Sequence, residues 1–600
     1  MPRWRRGGRD CERAGPVRRS RSPSCGRAPG PWAGGAGGSG AVVGAEGDVL
    51  AGQLGAEDLG GRRETGEAQV AGDAVERDLP VERSGDHVLE PVGQVPADAH
   101  VAEGEAVPAR HDDAGARGGL ARPGGFRLPA PDATLGIMTD QPCAPQTALL
   151  ADLRSGLPDS AVVDDPEVVA SYAHDMASFC AAGRAAVVVL PRTVEEVQHV
   201  MRTATAHRVP VVPQGARSGL SGAANAVEGC VVVSLVKMDR IVEIDPVERI
   251  AVVEPGVINA VLSRAVAEHG LNYPPDPSSW EMCTIGGNIG TGSGGLCCVK
   301  YGVTAEYVLG LDVVLADGRL LRTGRRTAKG VAGYDLTRLF VGSEGSLGIV
   351  VGAVLALRPA PAPQLVLAAE FGTTGAACEA VRAIMAGGHT PSLLELMDRT
   401  TVRAVNAHAR MGLPESTAAL LLCAFDTPEP AADLAAVAAL CRAAGASEVV
   451  PAETPAESEL LLAARRLSLV ALEAVKGTTM IDDVCVPRSR LAELLEGVER
   501  IAEKHELTIG VCAHAGDGNT HPTVCFDATD EDESRRARAS FDEIMALGLA
   551  LGGTITGEHG VGLLKKEWLA RELGETGLEV QRALKATLDP LGILNPGKVL

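Results

Sequence analysis

Apolar and polar positions along the chain predict alternating strands and helices from about residue 185 onward. The segment AAVVVLP at 185–191 is a continuous apolar run, which is typical of a buried strand. Residues 193–208 repeat apolar positions at helical spacing, so they predict an amphipathic helix with Thr193 as its N-cap. The segment VPVVPQGARSGLSG at 209–222 then predicts a strand that runs into a glycine-rich loop.

The first 137 residues have neither helical nor strand periodicity, and they lack Lys, Asn and Tyr. Such a segment cannot bury enough apolar surface to offset its chain entropy, so it is predicted to be disordered. Because the missing residues largely have AT-rich codons, we interpret residues 1–137 as a non-native extension translated from GC-rich upstream DNA. The natural start would then be Met138. A genuine but disordered tail is the alternative.

Composition excludes several classes of protein. The net charge of -21 and pI near 5.2 disfavour binding to phosphate backbones, so no nucleic-acid partner is expected. The apolar runs are too short to cross a bilayer. The 14 cysteines contain no CxxC, so neither a zinc ribbon nor an iron–sulfur cluster is indicated. We expect a cytoplasmic protein, with attachment to the inner face of a membrane through a partner as an option.

Three segments rich in small residues, at 213–222, 272–295 and 340–350, predict loops that bind a ligand. The first offers unhindered backbone N–H groups, as a pyrophosphate requires, although it matches neither GxGxxG nor GxxxxGK[ST]. Between the second and third, Asp317-Gly318 predicts the turn of a hairpin. Three such loops around one sheet indicate an extended ligand with phosphates in its middle, and a dinucleotide fits.

The octapeptide HAGDGNTH at 514–521 predicts a second hairpin. With Asp517-Gly518 as a two-residue type I′ turn, position 514 pairs with 521, and His514 and His521 face each other. Two facing imidazoles suit one metal ion. The alternative is a hairpin with two surface histidines.

The dipeptide Glu558-His559 in GTITGEHGVG offers the groups that such a metal site needs. A carboxylate is a common third ligand beside two histidines in an open catalytic site. His559 is then a candidate base, because imidazole transfers protons near neutral pH. A plain glycine-flanked loop is the alternative.

After residue 363 the pattern changes to strands that alternate with alanine-rich helices. The segments LVLAAEF, LLELMD and ALLLCAF, with intervening helical stretches, predict a split βαβ layout that covers the ligand.

The order of motifs PQGARSGLSGAA, PPDPSS, TIGGNIG, KYGVT, GSEGSLGIV, HAGDGNTH, GEHGVG and LNPGK resembles the FAD-linked oxidases of the vanillyl-alcohol oxidase and p-cresol methylhydroxylase type. Within them it is most similar to the glycolate oxidase D subunit and D-lactate dehydrogenase branch. The resemblance implies an α+β fold. A p-cresol methylhydroxylase-type FAD-binding domain of two α/β subdomains would span 146–361, a ferredoxin-like cap domain would span 362–570, and residues 571–600 would return to the FAD domain.

The resemblance also implies which residues bind FAD. They are Gln214, Gly215, Ala216, Arg217, Ser218, Gly219, Pro275, Asp276, Ser278, Thr284, Gly287, Asn288, Gly294, Gly295, Tyr301, Gly345, Ile349 and Asn595. The chain departs from the usual pattern at Arg217-Ser218, at Ala223 and in GTGSGG. The first loop contains neither His nor Cys, so FAD is expected to be noncovalent.

By resemblance, His514, His521 and Glu558 bind a divalent metal, zinc or manganese, that orients the substrate. His559 would be the base, and Arg465 would bind the substrate carboxylate. Relatives that oxidise D-2-hydroxyglutarate place Thr and Lys where this chain has Leu469 and Ile481. A second carboxylate would then be desolvated without a partner, which favours a small monocarboxylate, D-lactate or glycolate.

Other classes stay open at this stage. One is a metal-free alditol or sugar oxidase, or an enolpyruvyl reductase, of the same fold. Another is a flavin subunit that works only with iron–sulfur or quinone-linked membrane partners, since the electron acceptor is unknown. A zinc hydrolase is a third. A homodimer is also compatible with the resemblance.

Overall fold

The computed structural model describes residues 144–177 and 179–600. The predictions for residues 1–137, and the start at Met138, lie outside the described residues. Within the described ranges, no helix is both long enough and apolar enough to cross a membrane.

The amino-terminal part of the described chain contains short elements joined by long loops. They are α1 (Ala144–Ser155), β1 (Val162–Val163), α2 (Pro166–Ala170), β2 (Val187–Val189), α3 (Val194–His207), β3 (Val211–Gln214), β4 (Val231–Ser234), β5 (Ile241–Asp245), β6 (Ile250–Val253), α4 (Asn259–Ala267), β7 (Leu271–Asn272), α5 (Ile285–Thr291), α6 (Cys298–Tyr301), α7 (Thr304–Tyr307), β8 (Val308–Val314), β9 (Leu320–Gly324), α8 (Leu336–Phe340), β10 (Ile349–Ala356) and β11 (Arg358–Pro359).

The first sheet has four strands in the order β1-β2-β4-β3, with β2, β3 and β4 parallel. Strands β2 and β4 are entirely buried, as their continuous valine runs predict. Helix α3 begins as predicted, because the Thr193 side chain accepts a hydrogen bond from the Glu196 N–H. Its apolar face, with Val197, Val200 and Met201, packs into the core.

The second sheet is antiparallel, in the order β5-β6-β10-β8-β9. The predicted hairpin at Asp317-Gly318 is confirmed, since it joins β8 to β9. Its loop closes with a hydrogen bond from the Leu315 N–H to the Arg319 carbonyl.

The carboxyl-terminal part contains one large antiparallel sheet and its helices. The elements are β12 (Leu365–Phe371), α9 (Thr374–Ala386), β13 (Leu393–Asp398), α10 (Arg399–Ala409), β14 (Ala419–Phe425), α11 (Pro430–Ala443), β15 (Ala446–Pro451), α12 (Pro455–Lys476), β16 (Thr478–Ile481), β17 (Val484–Cys485), α13 (Leu491–His505), β18 (Thr508–His514), β19 (Asn519–Phe526), α14 (Glu531–Ala550) and α15 (Lys566–Leu588), which is interrupted at Gly574.

The large sheet has the order β15-β12-β14-β13-β18-β19-β16, and β17 also pairs with β19. Its first four strands follow the ferredoxin-like order, with α9 and α11 as the crossover helices. The sheet then continues through the β18–β19 hairpin. Helices α9, α11, α13 and α14 share one core cluster with the sheet, whereas α10 and α12 pack on its other face. The predicted α+β class is therefore confirmed.

The chain end returns to the first sheet. The Val211 N–H donates to the Ile593 carbonyl, and the Asn595 N–H donates to the Val211 carbonyl. Residues 593–595 therefore lie beside β3, immediately before the first glycine-rich loop.

Candidate active site

A cavity of about 360 Å³ lies where the three predicted loops meet. Twelve of the predicted cofactor residues line it: Gln214, Gly215, Ala216, Arg217, Ser218, Gly219, Ser278, Thr284, Gly287, Asn288, Gly345 and Ile349. Glu558 and His559 line the same cavity. The fold thus brings the glycine-rich loops, the predicted metal ligand Glu558 and the predicted base His559 to one space, whereas His514 and His521 do not line the cavity.

The cavity wall suits a ligand that carries phosphate groups. Within the described residues, the backbone N–H groups of 216–219 donate to no protein acceptor. Gln214 Oε1 and Asn288 Nδ2 are also buried without a partner. Because buried polar groups normally form hydrogen bonds, these atoms can serve a bound ligand. Gly215 permits the close approach of two loops, since a Cβ there would lie 2.3 Å from Thr284 Oγ1.

Six predicted cofactor residues do not line this cavity: Pro275, Asp276, Gly294, Gly295, Tyr301 and Asn595. Burial raises the pKa of Asp276 to about 7. The Tyr301 hydroxyl donates to Asp426 after β14, and the Asn595 side chain donates to the Glu344 carbonyl at 2.6 Å. The contact of these six residues with a cofactor stays a prediction.

The hairpin around 514–521 forms, but its predicted register is wrong. His514 pairs with Asn519 rather than with His521. The turn spans residues 515–518, and only Gly518 has a positive φ, of 93°. A type I′ turn requires positive φ at both central residues, and Asp517 does not adopt it. Because the register is shifted by two residues, the two histidines still project from one face, with ring centroids 5.0 Å apart.

The three predicted metal ligands converge. Glu558 Oε1 lies 3.2 Å from His514 Nε2 and 3.1 Å from His521 Nε2. A tetrahedral site with bonds of about 2.0–2.1 Å separates its ligand atoms by about 3.3–3.4 Å. His514, His521 and Glu558 are one of the groups in the described chain that could hold a metal ion. We therefore find that these side chains fit a divalent cation.

Glu395 is a functional residue that the sequence did not reveal. It lies on β13 directly opposite His514 on β18, and its Oε1 is 2.6 Å from His514 Nδ1. A carboxylate on the second ring nitrogen is typical of metal-bound histidines, because it fixes the orientation of the ring. In the sequence, Glu395 is one acidic residue in LLELMD and carries no motif.

Arg465 lies on α12 behind Glu395 rather than on the cavity. Its Nε donates to Glu395 Oε2 at 2.8 Å, and its Nη1 donates to Ser468 Oγ at 3.3 Å. The observed partner of Arg465 is therefore a buried carboxylate of the protein. Its predicted contact with a substrate carboxylate stays a prediction.

His559 lies on the cavity, and its ring stacks on His521 with centroids 4.8 Å apart. Its Nδ1 is buried without a hydrogen-bond partner. Burial is the main cause that lowers the pKa of His559 to about 4. The ring is therefore neutral near pH 7, and a neutral imidazole can accept a proton.

Asp483, between β16 and β17, is a second residue that the sequence did not reveal. Its Oδ2 accepts the backbone N–H groups of Glu558 at 3.0 Å and His559 at 2.8 Å. Together with His521 and His559 it forms another group that could hold a metal ion. The available signal was the acidic pair Asp482-Asp483 at the end of a strand, which is common on protein surfaces.

The charges of the cluster favour a cation between its carboxylates. Burial by itself lowers the pKa of His514, but Glu395 and Glu558 outweigh burial and hold it well above its usual value. Burial raises the pKa of Glu558, and His514 with His521 outweigh that effect and hold it well below its usual value. The negative electrostatic potential of these carboxylates, which stabilises a proton on His514, also stabilises a divalent cation.

Comparisons with known proteins match both the amino-terminal and the carboxyl-terminal part of the described chain. The family described as FAD binding domain matches residues 185–324, and the family described as FAD linked oxidases, C-terminal domain, matches residues 360–599. Glycolate oxidase subunit GlcD of Bacillus subtilis (strain 168) is 45% identical over 414 residues, which are 69% of this chain and 88% of that protein.

Two further comparisons extend the match. Mitochondrial D-lactate dehydrogenase (cytochrome) of Arabidopsis thaliana is 34% identical over 416 residues, which are 69% of this chain and 73% of that protein. The crystal structure of p-cresol methylhydroxylase with bound substrate has a TM-score of 0.65 at 21% identity and covers 76% of this chain and 96% of that chain. The latter likeness shows a shared fold.

Proposed function

The chain belongs to the family of FAD-linked oxidases, and from this premise we propose that it oxidises a small D-2-hydroxy acid, D-lactate or glycolate, to the 2-oxo acid. The main support for the proposal is that the glycine-rich loops line the same cavity as Glu558 and His559. A ligand on the loops and a substrate at the cluster would then be in contact.

The first loop would hold the pyrophosphate of FAD through its free backbone N–H groups, with Gln214 and Asn288 as polar side-chain partners. When bound, FAD accepts the hydride from the substrate Cα. Attachment would be noncovalent, because the first loop has neither His nor Cys.

His514, His521 and Glu558 would hold a divalent metal, zinc or manganese. An ion held by these three side chains would supply a positive charge that orients the substrate and makes its hydroxyl group more acidic. Glu395 would orient His514 from behind through its 2.6 Å contact with Nδ1.

His559 would take the hydroxyl proton. It lies on the cavity, its ring is neutral, and its buried Nδ1 has no protein partner. Stacking on His521 holds the ring plane beside the proposed metal ligands. Loss of the proton from the hydroxyl oxygen and of the hydride from the Cα that carries this hydroxyl would then occur within the one cavity.

The cavity wall favours a small monocarboxylate. Leu469 lines the cavity, and Arg217, the basic side chain among the lining residues, already donates to the Ser171 carbonyl. Beside Leu469 a second substrate carboxylate would meet an apolar side chain and would be desolvated at high cost.

A second candidate is that the chain works as the flavin subunit of a complex. The relative in Bacillus subtilis is named a subunit of glycolate oxidase, and this observation favours a partner that takes the electrons. Turnover of the purified chain with an artificial electron acceptor would show that the chain needs no partner for the oxidation itself.

The proposal is tested by anaerobic reduction of the flavin with matched D- and L-2-hydroxy acids. We expect D-lactate or glycolate to bleach the flavin absorbance and L-lactate to leave it unchanged. Arg466→Gln should be reduced like the parent protein and is the control for substitutions of the neighbouring Arg465, since Arg466 pairs with Glu459 on the exposed side of α12. If no D-acid and no glycolate reduces the flavin, the substrate assignment is wrong.

A further inference from the structure

Residues 556–562, which we call the ligand loop, carry the proposed ligand Glu558 and the proposed base His559. Six of their seven backbone N–H groups donate to side chains, and that of Gly557 donates to the Asp483 carbonyl. Asp483 accepts the N–H groups of Glu558 and His559, and Glu344 accepts those of Val561 and Gly562. A loop whose N–H groups are bound mainly by side chains takes its position from the residues that carry those side chains.

Asp483 binds the first half of the loop from the large sheet. It is fully buried between β16 and β17, and its Oδ2 also accepts the Thr556 hydroxyl at 2.6 Å. Lys565 Nζ lies 3.5 Å from Asp483 Oδ2 and donates to the Asp483 carbonyl. An ion pair of this kind keeps a desolvated carboxylate charged, so that it can accept several N–H groups.

Glu344 binds the second half of the loop from the third glycine-rich loop. Its two oxygens serve different groups, with Oε1 2.6 Å from the Val561 nitrogen and Oε2 2.9 Å from the Gly562 nitrogen. Glu344 is a buried residue with a left-handed backbone, φ 51°, and its carbonyl accepts a hydrogen bond from Asn595. Its side chain is thus held in place from the cofactor side of the cavity.

We propose that Asp483 and Glu344 are positioning residues that hold the ligand loop between the two halves of the active site. Asp483 sets the place of Glu558 relative to His514 and His521, which the large sheet carries. Glu344 sets the place of the loop relative to the cofactor loops. The inference rests on the proposed function for the roles of Glu558 and His559, and neither carboxylate needs to touch the substrate. Sites of this kind require placement to within about 0.5 Å, which a glycine-flanked loop cannot provide alone.

The two halves of the proposal predict different defects. Asp483→Ala in the full chain with FAD should raise the dissociation constants of zinc and manganese about 10- to 100-fold, while flavin content stays unchanged. Glu344→Gln removes one of two acceptors without changing size. It should leave metal affinity near the parent value and slow flavin reduction at saturating substrate about 10- to 100-fold, with KM little changed.

Asp482→Ala is the matched control for Asp483→Ala. Asp482 is equally buried and lies 3.7 Å from the same Lys565 Nζ, but it accepts the Asp483 N–H and none from the ligand loop. If Asp483→Ala does not fold, Asp483→Ala with Lys565→Met removes both charges of the pair and is measured in the same way. Glu344→Gln provides an independent reading.

Metal affinity is measured by equilibrium dialysis with zinc or manganese, beside thermal unfolding and the flavin spectrum. A folded Asp483→Ala variant that binds metal as tightly as the parent would overturn the role of Asp483. If the flavin of Glu344→Gln is reduced at the parental rate, the proposed role of Glu344 is overturned. If His514→Ala binds metal as tightly as the parent, the proposed metal site itself is refuted. Failure of the positioning roles and failure of the metal site are therefore distinguishable.

Discussion

The two sides of the cavity are built in opposite ways. The cofactor side consists of backbone N–H groups and small residues, whereas the metal side consists of buried ionisable side chains that contact one another. Two of the departures from the usual family pattern, at Arg217-Ser218 and at Ala223, lie on the cofactor side. Backbone groups tolerate a change of side chain, but a cluster of paired charges does not. Side-chain substitutions should therefore affect FAD binding and metal binding differently.

The largest expected effect is that of His514→Ala. It removes a proposed metal ligand and takes one of the partners of Glu395 and of Glu558, so turnover should be abolished. Because His514 does not line the cofactor side, bound FAD should remain, as measured by the ratio of flavin to protein absorbance. Loss of flavin together with turnover would mean that the hairpin holds the fold rather than the metal.

His559→Ala should lower the rate of flavin reduction about 10²- to 10⁴-fold, as is typical for loss of a general base. Metal content and FAD content should both stay at the parent level, since His559 is assigned to neither. Rapid-mixing absorbance measures the rate. Unchanged flavin reduction would place the base elsewhere in the cavity.

Glu395→Gln should weaken metal binding about 10- to 100-fold without removing any ligand, because outer-shell carboxylates orient the metal-bound histidine. Glu370→Gln on β12 is the matched control, since Glu370 lies in the same sheet and binds the Thr417 hydroxyl. Dialysis against zinc compares the two variants. Equal metal affinity in both variants would mean that Glu395 serves only as an ion-pair partner of Arg465.

On the cofactor side, Gly215→Ala should cost about 1–3 kcal/mol of FAD binding or stability, because its Cβ would overlap Thr284 Oγ1. Gly290→Ala is the matched control, since Gly290 lines the same cavity but its Cβ would meet no atom within 4 Å. Fluorescence titration with FAD measures both. Equal FAD affinity in the two variants would show that this loop contact can relax.

A last effect, on pH-dependent stability rather than on the reaction, concerns Lys598, which is buried behind the first loop and donates to Asn595 Oδ1. Burial lowers the pKa of Lys598 from 10.5 to about 8. The folded protein therefore disfavours the charged amine, so the stability of the parent relative to Lys598→Met should rise by roughly 1 kcal/mol per pH unit between pH 8 and 10.5. Urea unfolding across this range measures the difference, and parallel curves would contradict the lowered pKa.

The sequence alone indicated most of the residues that lie together at the cavity, because their prediction depends on local pattern. The three loops, the capped helix α3 and both hairpins are short-range features, and alternation along strands placed His514 and His521 on one face even with the wrong register. Its motif resemblance also identified Glu558 and His559. Local pattern could not predict the turn type, because Asp517-Gly518 is compatible with more than one turn.

Only the tertiary structure showed that Glu395, Asp483 and Glu344 contact the residues of the candidate site. Glu395 reaches His514 across 119 residues of chain through the pairing of β13 with β18, and Glu344 reaches Gly562 across 218 residues. Each is a solitary carboxylate in the sequence, and its role depends on which strand or loop lies opposite. Arg465 likewise matched a motif, but its observed partner, Glu395, was decided by long-range packing. The motif positions were thus determined locally, whereas the residues that orient them were decided by contacts between distant segments, which no local pattern encodes.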